Sequence, residues 1–189
     1  GVGGAPDNLL PLAQAVRAAV AAAAILIPEG FEPFDGGGAG RQWFSVRGVT
    51  EENRAERIAV AMPGFLDAIR HWQDVARVGV DATSLIGFSQ GAIMALASTQ
   101  TLEPPAARVV AIAGRFARSP SRAPKSVAVH FLHGQVDTVI PHVHSVMGAE
   151  RWGALGGKAT LDLFPFAGHG IEPEMAARVV ERLRSGVPG

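Results

Sequence analysis

Residues 83–91 read Thr-Ser-Leu-Ile-Gly-Phe-Ser-Gln-Gly, and this stretch decides the fold. Its apolar part has the character of a short buried strand, and the small residues from Gln90 to about Thr99 predict a helix. Between them, residues 87–91 fit Gly-x-Ser-x-Gly, the nucleophile elbow in which a serine occupies a strained strand-to-helix turn. The pentapeptide alone occurs by chance, but its position between a strand and a helix is specific. We therefore predict that Ser89 is a nucleophile rather than a structural serine in a tight turn.

The residues beside Ser89 indicate how such a turn would work. We expect glycine at positions 87 and 91 because a Cβ there would crowd the neighbouring strand and helix. The helix that begins after Ser89 directs the free N–H of Gln90 to the place where an oxyanion would form. Gln90 is therefore the first predicted oxyanion donor.

The rest of the chain alternates between short apolar runs and helical periodicity. Further strands are predicted at residues 109–113, 127–132 and 160–164. Helices are predicted at residues 9–19, 51–77 and 172–183, and the last of these is expected to end at Ser185-Gly186. A further helix is predicted to start after Ile140, with Pro141 in its first turn. Apolar strands separated by helices predict a parallel sheet that is covered on both faces. The predicted fold is a three-layer α/β/α sandwich with a mostly parallel central sheet, formed by a single domain over residues 1–189.

Three local features carry expectations of their own. The apolar run Ile25-Leu26-Ile27, stopped by Pro28, is predicted to be a buried strand. Residues 28–50 are rich in Gly and Pro and show no sustained period, so we expect a long loop that borders the functional site. Thr50 is the predicted N-cap of the 51–77 helix, and Pro63 is expected to kink or divide that helix.

The composition excludes several classes of protein. The 189 residues include 17 Lys and Arg against 17 Asp and Glu, whereas a nucleic-acid-binding protein would carry a basic stripe. The chain has no Cys, which excludes disulfides, thiolate metal sites and a cysteine nucleophile. No stretch reaches the roughly 18 apolar residues of a membrane-spanning helix, so no membrane insertion is expected. The expected location is cytoplasmic, with a signal peptide left open because the sequence does not begin with Met.

The loops after the predicted strands supply a candidate base. In an open parallel sheet, active groups lie beyond the carboxyl ends of the strands, and a serine nucleophile needs a base to accept its proton. His169 lies between two glycines in the loop after the last predicted strand, and we predict it as the base. His133 remains a rival because it also ends a predicted strand. The other four histidines are expected to be packing or surface residues: His71, His130, His142 and His144.

A candidate carboxylate lies in a third strand-end loop. The base requires an acceptor that fixes its tautomer and stabilises the imidazolium. Asp137 follows the strand predicted at 127–132 by a few residues, so we expect it at the same edge of the sheet as Ser89 and His169. Asp162 lies inside a predicted strand, and the remaining candidates have solvated helix or turn positions: Asp67, Asp74 and Asp81. The predicted catalytic residues are thus Ser89, Asp137 and His169.

Together, these motifs resemble the α/β-hydrolase superfamily: residues 87–91, the stretch His133-Gly134-x-x-Asp137, and Gly168-His169. Within it, Phe-Ser-Gln-Gly-Ala at residues 88–92 and the pair Trp43-Phe44 are typical of the phospholipase/carboxylesterase branch, bacterial serine esterases related to acyl-protein thioesterases. The likeness runs from residue 1 to about residue 184. It implies a carboxylic ester hydrolase that works through an acyl-enzyme, with serine as the attacking group and histidine as base and then acid.

The same resemblance implies the second half of an oxyanion hole. In this branch a strand is followed by His-Gly-x-Gly, whose third residue provides the second oxyanion N–H. Gly1-Val2-Gly3 matches the last three positions, so Val2 would be the donor beside Gln90. The His and the preceding strand are absent from the sequence given, so we expect a sheet without its first strand or strands. If the polypeptide starts at Gly1, Val2 would lie on an untethered terminus, where fraying is expected.

The resemblance implies a small-molecule ester as substrate and leaves its size open. Trp43, Phe44 and Phe88 are candidates to line an acyl pocket, the alternative being ordinary core packing. Small carboxylic esters are the leading expectation, and an acyl-protein thioester or a lysophospholipid is the close alternative with the same triad. Two other hypotheses remain, a non-catalytic binding protein on a hydrolase scaffold and a perhydrolase. The mechanism requires no metal and no organic cofactor, and a monomer or homodimer is expected.

Overall fold

The structure is a computed structural model and describes residues 1–184. In chain order, its helices and strands are α1 (Leu10–Ala19), β1 (Glu32–Pro33), β2 (Arg41–Gln42), α2 (Glu51–Ala76), β3 (Ser84–Phe88), α3 (Gln90–Ser98), β4 (Arg108–Ile112), β5 (Ala128–Gly134), α4 (Val143–Ala154), β6 (Lys158–Phe164) and α5 (Pro173–Arg184). Short 3-10 turns lie at Pro6–Leu9 and Val80–Ala82. The four predicted strands from residue 83 onward are confirmed to within about two residues at each end.

The central sheet is parallel and is covered on both faces. Strands β3, β4, β5 and β6 lie side by side in that order, and each pairs in parallel with the next. Because neighbouring residues of a strand point to opposite faces, Val110 and Ile112 of β4 pack with α1 and α5. Val109 and Ala111 pack on the other face with α3 and α4, and α2 packs outside α3. The predicted three-layer α/β/α sandwich is confirmed.

The strand predicted at residues 25–27 is wrong. The chain after α1 is irregular there, and Leu26 is 42% exposed. Ile25 packs against the cluster that joins α1, α5 and the sheet, so the run anchors a loop to the core instead of joining the sheet. A three-residue apolar run has too little periodicity to distinguish these two outcomes.

Helix α2 is continuous, so the division expected at Pro63 is wrong. A proline inside a helix removes one backbone donor, which by itself destabilises the helix. Here the neighbouring Met62 and Phe65 are buried in the cluster that joins α2 to α3, and this packing holds the helix together. The start of the helix is as predicted, because the Thr50 hydroxyl accepts a hydrogen bond from the Asn53 N–H at 3.3 Å.

The helices near the end of the chain fall close to their predicted positions. Helix α4 begins at Val143, so Pro141 lies just before the helix rather than in its first turn. Helix α5 is described over Pro173–Arg184, and the termination predicted at Ser185-Gly186 lies outside the described residues. Within residues 1–184, no helix combines the length and the apolar character needed to cross a membrane.

Residues 28–50 form the expected long loop, interrupted only by the antiparallel pairing of β1 with β2. Its centre is Asp35, whose carboxylate accepts hydrogen bonds from the Ser45 hydroxyl at 2.8 Å and from the N–H groups of Val46 and Arg47 at 2.8 and 3.0 Å. These donors, the Ser45 hydroxyl first, lower the pKa of Asp35 to about 2. Hydrogen bonds between its own residues therefore stabilise the conformation of this loop.

A buried histidine in the sheet makes the fold sensitive to acid. His130 in β5 is 1% exposed, its Nδ1 lies 2.8 Å from Thr160 Oγ1, and its Nε2 has no hydrogen-bond partner. Burial, together with the charges of Arg108 and Arg182, lowers the pKa of His130 to about 4 from an ordinary value of 6.5. The folded protein therefore holds this ring neutral over a range in which the unfolded chain protonates it.

We predict that the free energy of unfolding falls as the pH is lowered from 6.5 to about 4, with His130 as the largest single contributor. Between these pH values His130 binds a proton in the unfolded chain but stays neutral in the folded chain, so acid favours unfolding. The lowering of the His130 pKa from 6.5 to about 4 corresponds to roughly 3 kcal/mol in the free energy of unfolding. Urea denaturation across this range should show a shallower pH slope for His130→Asn. The exposed His71 provides the control, since His71→Asn should leave the slope unchanged; equal slopes in both variants would contradict the assignment.

Candidate active site

The turn between β3 and α3 holds Ser89 in a strained conformation. Its φ of +52° and ψ of −117° lie outside the regions that a residue with a Cβ usually adopts. The Ser89 N–H donates to the Ile112 carbonyl of β4 at 2.9 Å, and the Ser89 carbonyl accepts from the Ile93 N–H of α3 at 3.0 Å. The strain is thus maintained by hydrogen bonds to the sheet on one side and the helix on the other.

The two glycines of the pentapeptide have different roles. A Cβ on Gly87 would overlap the backbone of Gly91 and Ala92, so β3 and α3 approach this closely only because position 87 is glycine. A Cβ on Gly91 would meet nothing nearer than Trp43 Nε1, at 3.8 Å. The expected crowding is therefore confirmed at position 87 and wrong at position 91, where the contact would be ordinary.

The three residues predicted as catalytic meet at one edge of the sheet. His169 Nε2 lies 2.9 Å from Ser89 Oγ, and His169 Nδ1 lies 2.7 Å from Asp137 Oδ2. The Ser89 and Asp137 residues are buried at 6% and 7% exposure. A hydroxyl, an imidazole and a carboxylate joined in this order are what nucleophilic acyl transfer requires.

The carboxylate of Asp137 is held by backbone donors as well as by His169. Its Oδ1 accepts from the N–H groups of Val139 and Ile140 at 2.8 and 2.9 Å. Burial by itself would raise the pKa of Asp137, but the hydrogen bonds from His169, Ile140 and Val139 outweigh burial and keep that pKa below its ordinary value. Asp137 is therefore ionised at neutral pH and can stabilise an imidazolium.

A close approach of two loops brings Asp137 and His169 together. A Cβ on Gly134, at the end of β5, would overlap the carbonyl of Ala167 in the loop after β6. The same loops are joined by a hydrogen bond of 3.1 Å from the Val136 N–H to the Ala167 carbonyl. Glycine at position 134 is thus the local reason that the loop bearing His169 can lie over the loop bearing Asp137.

The two rival candidates, His133 and Asp162, have other hydrogen-bond partners than Ser89 and His169. His133 is fully buried and contacts Asp137, Ile140 and Ser145, so His169 is the histidine that reaches Ser89. The carboxylate of Asp162 is occupied by the guanidinium groups of two α5 residues, Arg178 and Arg182, at 2.6 and 2.7 Å.

The segment that contains Val2 lies beside Ser89. A Cβ on Gly1 would be 3.4 Å from Ser89 Cβ. The expectation of an untethered segment is wrong, because the Gly3 N–H donates to the Arg41 carbonyl at 2.8 Å and the Arg41 N–H donates to the Gly4 carbonyl at 3.1 Å. Pairing with β2 therefore keeps Val2 near the turn.

The side chain of Gln90 has a role that the sequence did not reveal. Its Oε1 accepts from the Trp43 N–H at 2.7 Å, and its Nε2 donates to the Phe44 carbonyl at 2.8 Å. Gln90 is 3% exposed, so both backbone groups are satisfied inside the protein by this one amide. The residue that begins α3 thus fastens the 28–50 loop to the elbow. Sequence position alone gave no sign of a contact 46 or 47 residues away.

The three acyl-pocket candidates occupy different environments. The ring of Phe88 lies 5.1 Å from the ring of His169, so Phe88 borders the predicted triad. Trp43 and Phe88 both lie in the wall of a cavity of about 580 Å³, which Ser89 does not line. Phe44 is 4% exposed, packs in the cluster between α2 and α3, and does not line that cavity.

Comparison with known proteins identifies the family and the fold of this chain. The sequence model of the phospholipase/carboxylesterase family matches residues 1–185. The esterase YpfH of Escherichia coli (strain K12) is 43% identical over 159 residues, covering 84% of this chain and 68% of that protein. Esterase PE8 has a similar structure, with a TM-score of 0.86 and 25% identity over 97% of this chain and 88% of that one. The carboxylesterase of Bacillus cereus has the same fold, with a TM-score of 0.81 at 18% identity, covering 96% of this chain and 83% of its own.

The fold and the site define an α/β-hydrolase enzyme of the carboxylic ester hydrolase class. The chain belongs to the phospholipase/carboxylesterase family. The family, the fold and the class of enzyme expected from the sequence are thereby confirmed.

We predict that Gln90→Met lowers the free energy of unfolding by roughly 1–3 kcal/mol for each backbone group it leaves unpaired. Methionine keeps the length of the side chain but neither accepts from Trp43 nor donates to Phe44. Urea denaturation should detect the loss. The control is Gln14→Met on the exposed face of α1, where a change within about 0.5 kcal/mol is expected. A similar effect at both positions would show that the amide contributes no specific contact.

Proposed function

We propose that this protein is a serine carboxylesterase that hydrolyses small carboxylic esters through an acyl-enzyme formed on Ser89. The observation that carries the proposal is the continuous set of contacts from Ser89 Oγ to His169 and on to Asp137, at 2.9 and 2.7 Å. A serine hydroxyl is a weak nucleophile at neutral pH, and this arrangement supplies both the base and the carboxylate that orients it.

In the first half-reaction, Ser89 Oγ bonds to the ester carbonyl carbon while His169 Nε2 takes the hydroxyl proton. The carbonyl oxygen becomes an oxyanion, for which the backbone N–H groups of Val2 and Gln90 are the proposed donors. Collapse of the tetrahedral intermediate breaks the bond to the alcohol oxygen, and His169 returns the proton to that leaving group. Asp137 remains ionised throughout and stabilises the imidazolium.

In the second half-reaction, water replaces the alcohol. His169 accepts a proton from the water as its oxygen bonds to the acyl carbon, and the second oxyanion occupies the same donors. Collapse releases the carboxylic acid and returns the proton to Ser89 Oγ. Every proton transfer uses His169 Nε2, so the mechanism needs no metal and no organic cofactor.

A short acyl group suits the surroundings of Ser89. Phe88 packs beside His169, and the 580 Å³ cavity near the elbow has no triad residue in its wall. The wall of that cavity includes Phe88 but no residue of the predicted triad, so the cavity by itself does not favour a long acyl chain on Ser89. Small esters are therefore proposed ahead of an acyl-protein thioester or a lysophospholipid, which the same triad would also serve.

We predict that hydrolysis of p-nitrophenyl esters peaks on acetate or butyrate and that Ser89→Ala lowers kcat by a factor of roughly 10⁶. The physical reason is the loss of the hydroxyl that lies 2.9 Å from His169 Nε2 and is proposed to form the acyl-enzyme. Release of p-nitrophenol from esters of increasing chain length measures both the chain-length preference and the loss of kcat in Ser89→Ala. Ser84→Ala is the control, since Ser84 is an exposed serine on the same strand and its loss should leave the rate unchanged.

Other outcomes of this assay have definite meanings. A preference for chains longer than about eight carbons would replace the small-ester assignment by a lysophospholipase or a protein thioesterase. Equal low rates for the unmodified protein and Ser89→Ala on every ester would instead favour a binding protein on a hydrolase scaffold.

A further inference from the structure

His133 is a buried side chain that the proposed chemistry does not use. It lies at the penultimate position of β5 and has no exposed surface. Its Nε2 lies 2.8 Å from the Ile140 carbonyl oxygen, and its Nδ1 lies 2.7 Å from Ser145 Oγ in α4. Nε2 also comes within 3.2 Å of Asp137 Oδ2, a proximity contact without hydrogen-bond geometry. The two hydrogen-bonded contacts of the ring, to Ile140 and to Ser145, therefore need an explanation of their own.

The neighbours of His133 determine which of its nitrogens carries the proton. The Ile140 carbonyl can only accept, so the ring proton is on Nε2 and is donated to Ile140. Burial lowers the pKa of His133, so the ring is neutral at neutral pH and Nδ1 can accept a hydrogen bond. The Ser145 hydroxyl is the donor to Nδ1, because its distance to Nδ1, 2.7 Å, is shorter than its 3.3 Å distance to the Gly114 carbonyl oxygen. Ser145 of α4 therefore fixes the orientation of the ring.

Ile140 is held by a different side chain at each of its two backbone polar groups. Its N–H donates to Asp137 Oδ1 at 2.9 Å, beside the Val139 N–H at 2.8 Å, and its carbonyl accepts from His133. The backbone of this one residue therefore connects the His133 ring to the carboxylate of Asp137.

Apolar packing does not by itself orient the backbone of this loop. Val136 and Val139, on either side of Asp137, are 56% and 65% exposed. The Ile140 side chain packs against the cluster between α2 and α3, but apolar packing is non-directional. A hydrogen bond depends on direction as well as on distance. The donation from His133 is therefore suited to fix the orientation of the Ile140 backbone.

We propose that His133 is a positioning residue: by donating Nε2–H to the Ile140 carbonyl, it keeps the N–H groups of Val139 and Ile140 directed at Asp137 Oδ1. The carboxylate then presents Oδ2 to His169 Nδ1, at 2.7 Å. The inference rests on the proposed function, in which Asp137 orients His169, and it gives His133 no contact with the substrate. Because His169 transfers the proton in both half-reactions, loss of this hydrogen bond should lower kcat and leave KM unchanged.

A matched pair of substitutions separates the two hydrogen bonds of the ring. In His133→Gln the amide nitrogen reaches the position of Nε2 and can still donate to Ile140, while the contact with Ser145 is lost. In His133→Asn the shorter amide reaches the position of Nδ1, so it can accept from Ser145 but cannot reach Ile140. Both replacements are uncharged, as His133 is at neutral pH, so neither changes the charge near Asp137.

With p-nitrophenyl acetate at neutral pH, we expect His133→Gln to keep kcat within about threefold of the unmodified protein. We expect His133→Asn to lose about tenfold in kcat with KM unchanged, the cost of one buried hydrogen bond. If His133 only joined β5 to α4, the order would be reversed, with His133→Gln the more impaired variant. Equal kcat in the two variants, the reversed order, or a rise in KM that accounts for the loss would overturn the proposal.

A measurement on the unmodified protein keeps the proposal testable even when His133→Asn does not fold. Nitrogen-15 NMR of the histidine rings at pH 7 should show His133 as the neutral tautomer with its proton on Nε2, assigned by the disappearance of its signals in His133→Gln. A ring with its proton on Nδ1 could not donate to Ile140 and would contradict the proposal, as would a ring protonated on both nitrogens. Failure of the proposed function has a different signature, namely ester hydrolysis that persists in Ser89→Ala, whatever the tautomer of His133.

Discussion

The contact between Gly87 and the first turn of α3 is the constraint on which the site depends. Because position 87 has no Cβ, the helix starts directly against the end of β3, and Ser89 is forced into a turn with positive φ. The hydrogen bond from the Ser89 N–H to Ile112 fixes this turn to the next strand. The strained serine is therefore a consequence of backbone packing, and its hydroxyl lies at the edge of the sheet where the other two strand-end loops converge.

The convergence follows from the topology of the sheet. In a parallel sheet all carboxyl ends lie at one edge, so loops far apart in sequence meet there. The loop after β5 carries Asp137 and the loop after β6 carries His169, and Gly134 lets the two loops lie in contact. Evenly spaced parallel strands thus bring together residues separated by 32 and 80 positions in the chain.

Buried amide and imidazole groups connect this edge to the rest of the protein. Gln90 fastens the long loop to the elbow, and His133 joins the end of β5 to α4 and to the Ile140 carbonyl. Inside a protein, such polar groups are costly unless they are hydrogen-bonded, and each polar side-chain atom of Gln90 and His133 has a partner. The same side chains that satisfy buried backbone groups therefore also link the long loop and α4 to the edge of the sheet where Ser89, Asp137 and His169 meet.

The sequence by itself determined the alternation of strands and helices, the parallel sheet and the placement of Ser89, Asp137 and His169 at one edge of that sheet, because each of these depends on local periodicity and on motifs at strand ends. It did not determine that residues 25–27 form an irregular segment or that α2 continues through Pro63, since packing against distant elements decided both. Only the tertiary structure showed the long-range contacts of the Gln90 and His133 side chains. The physical reason is that a hydrogen bond depends on distance and direction between atoms, and neither is encoded in the spacing of residues along the chain.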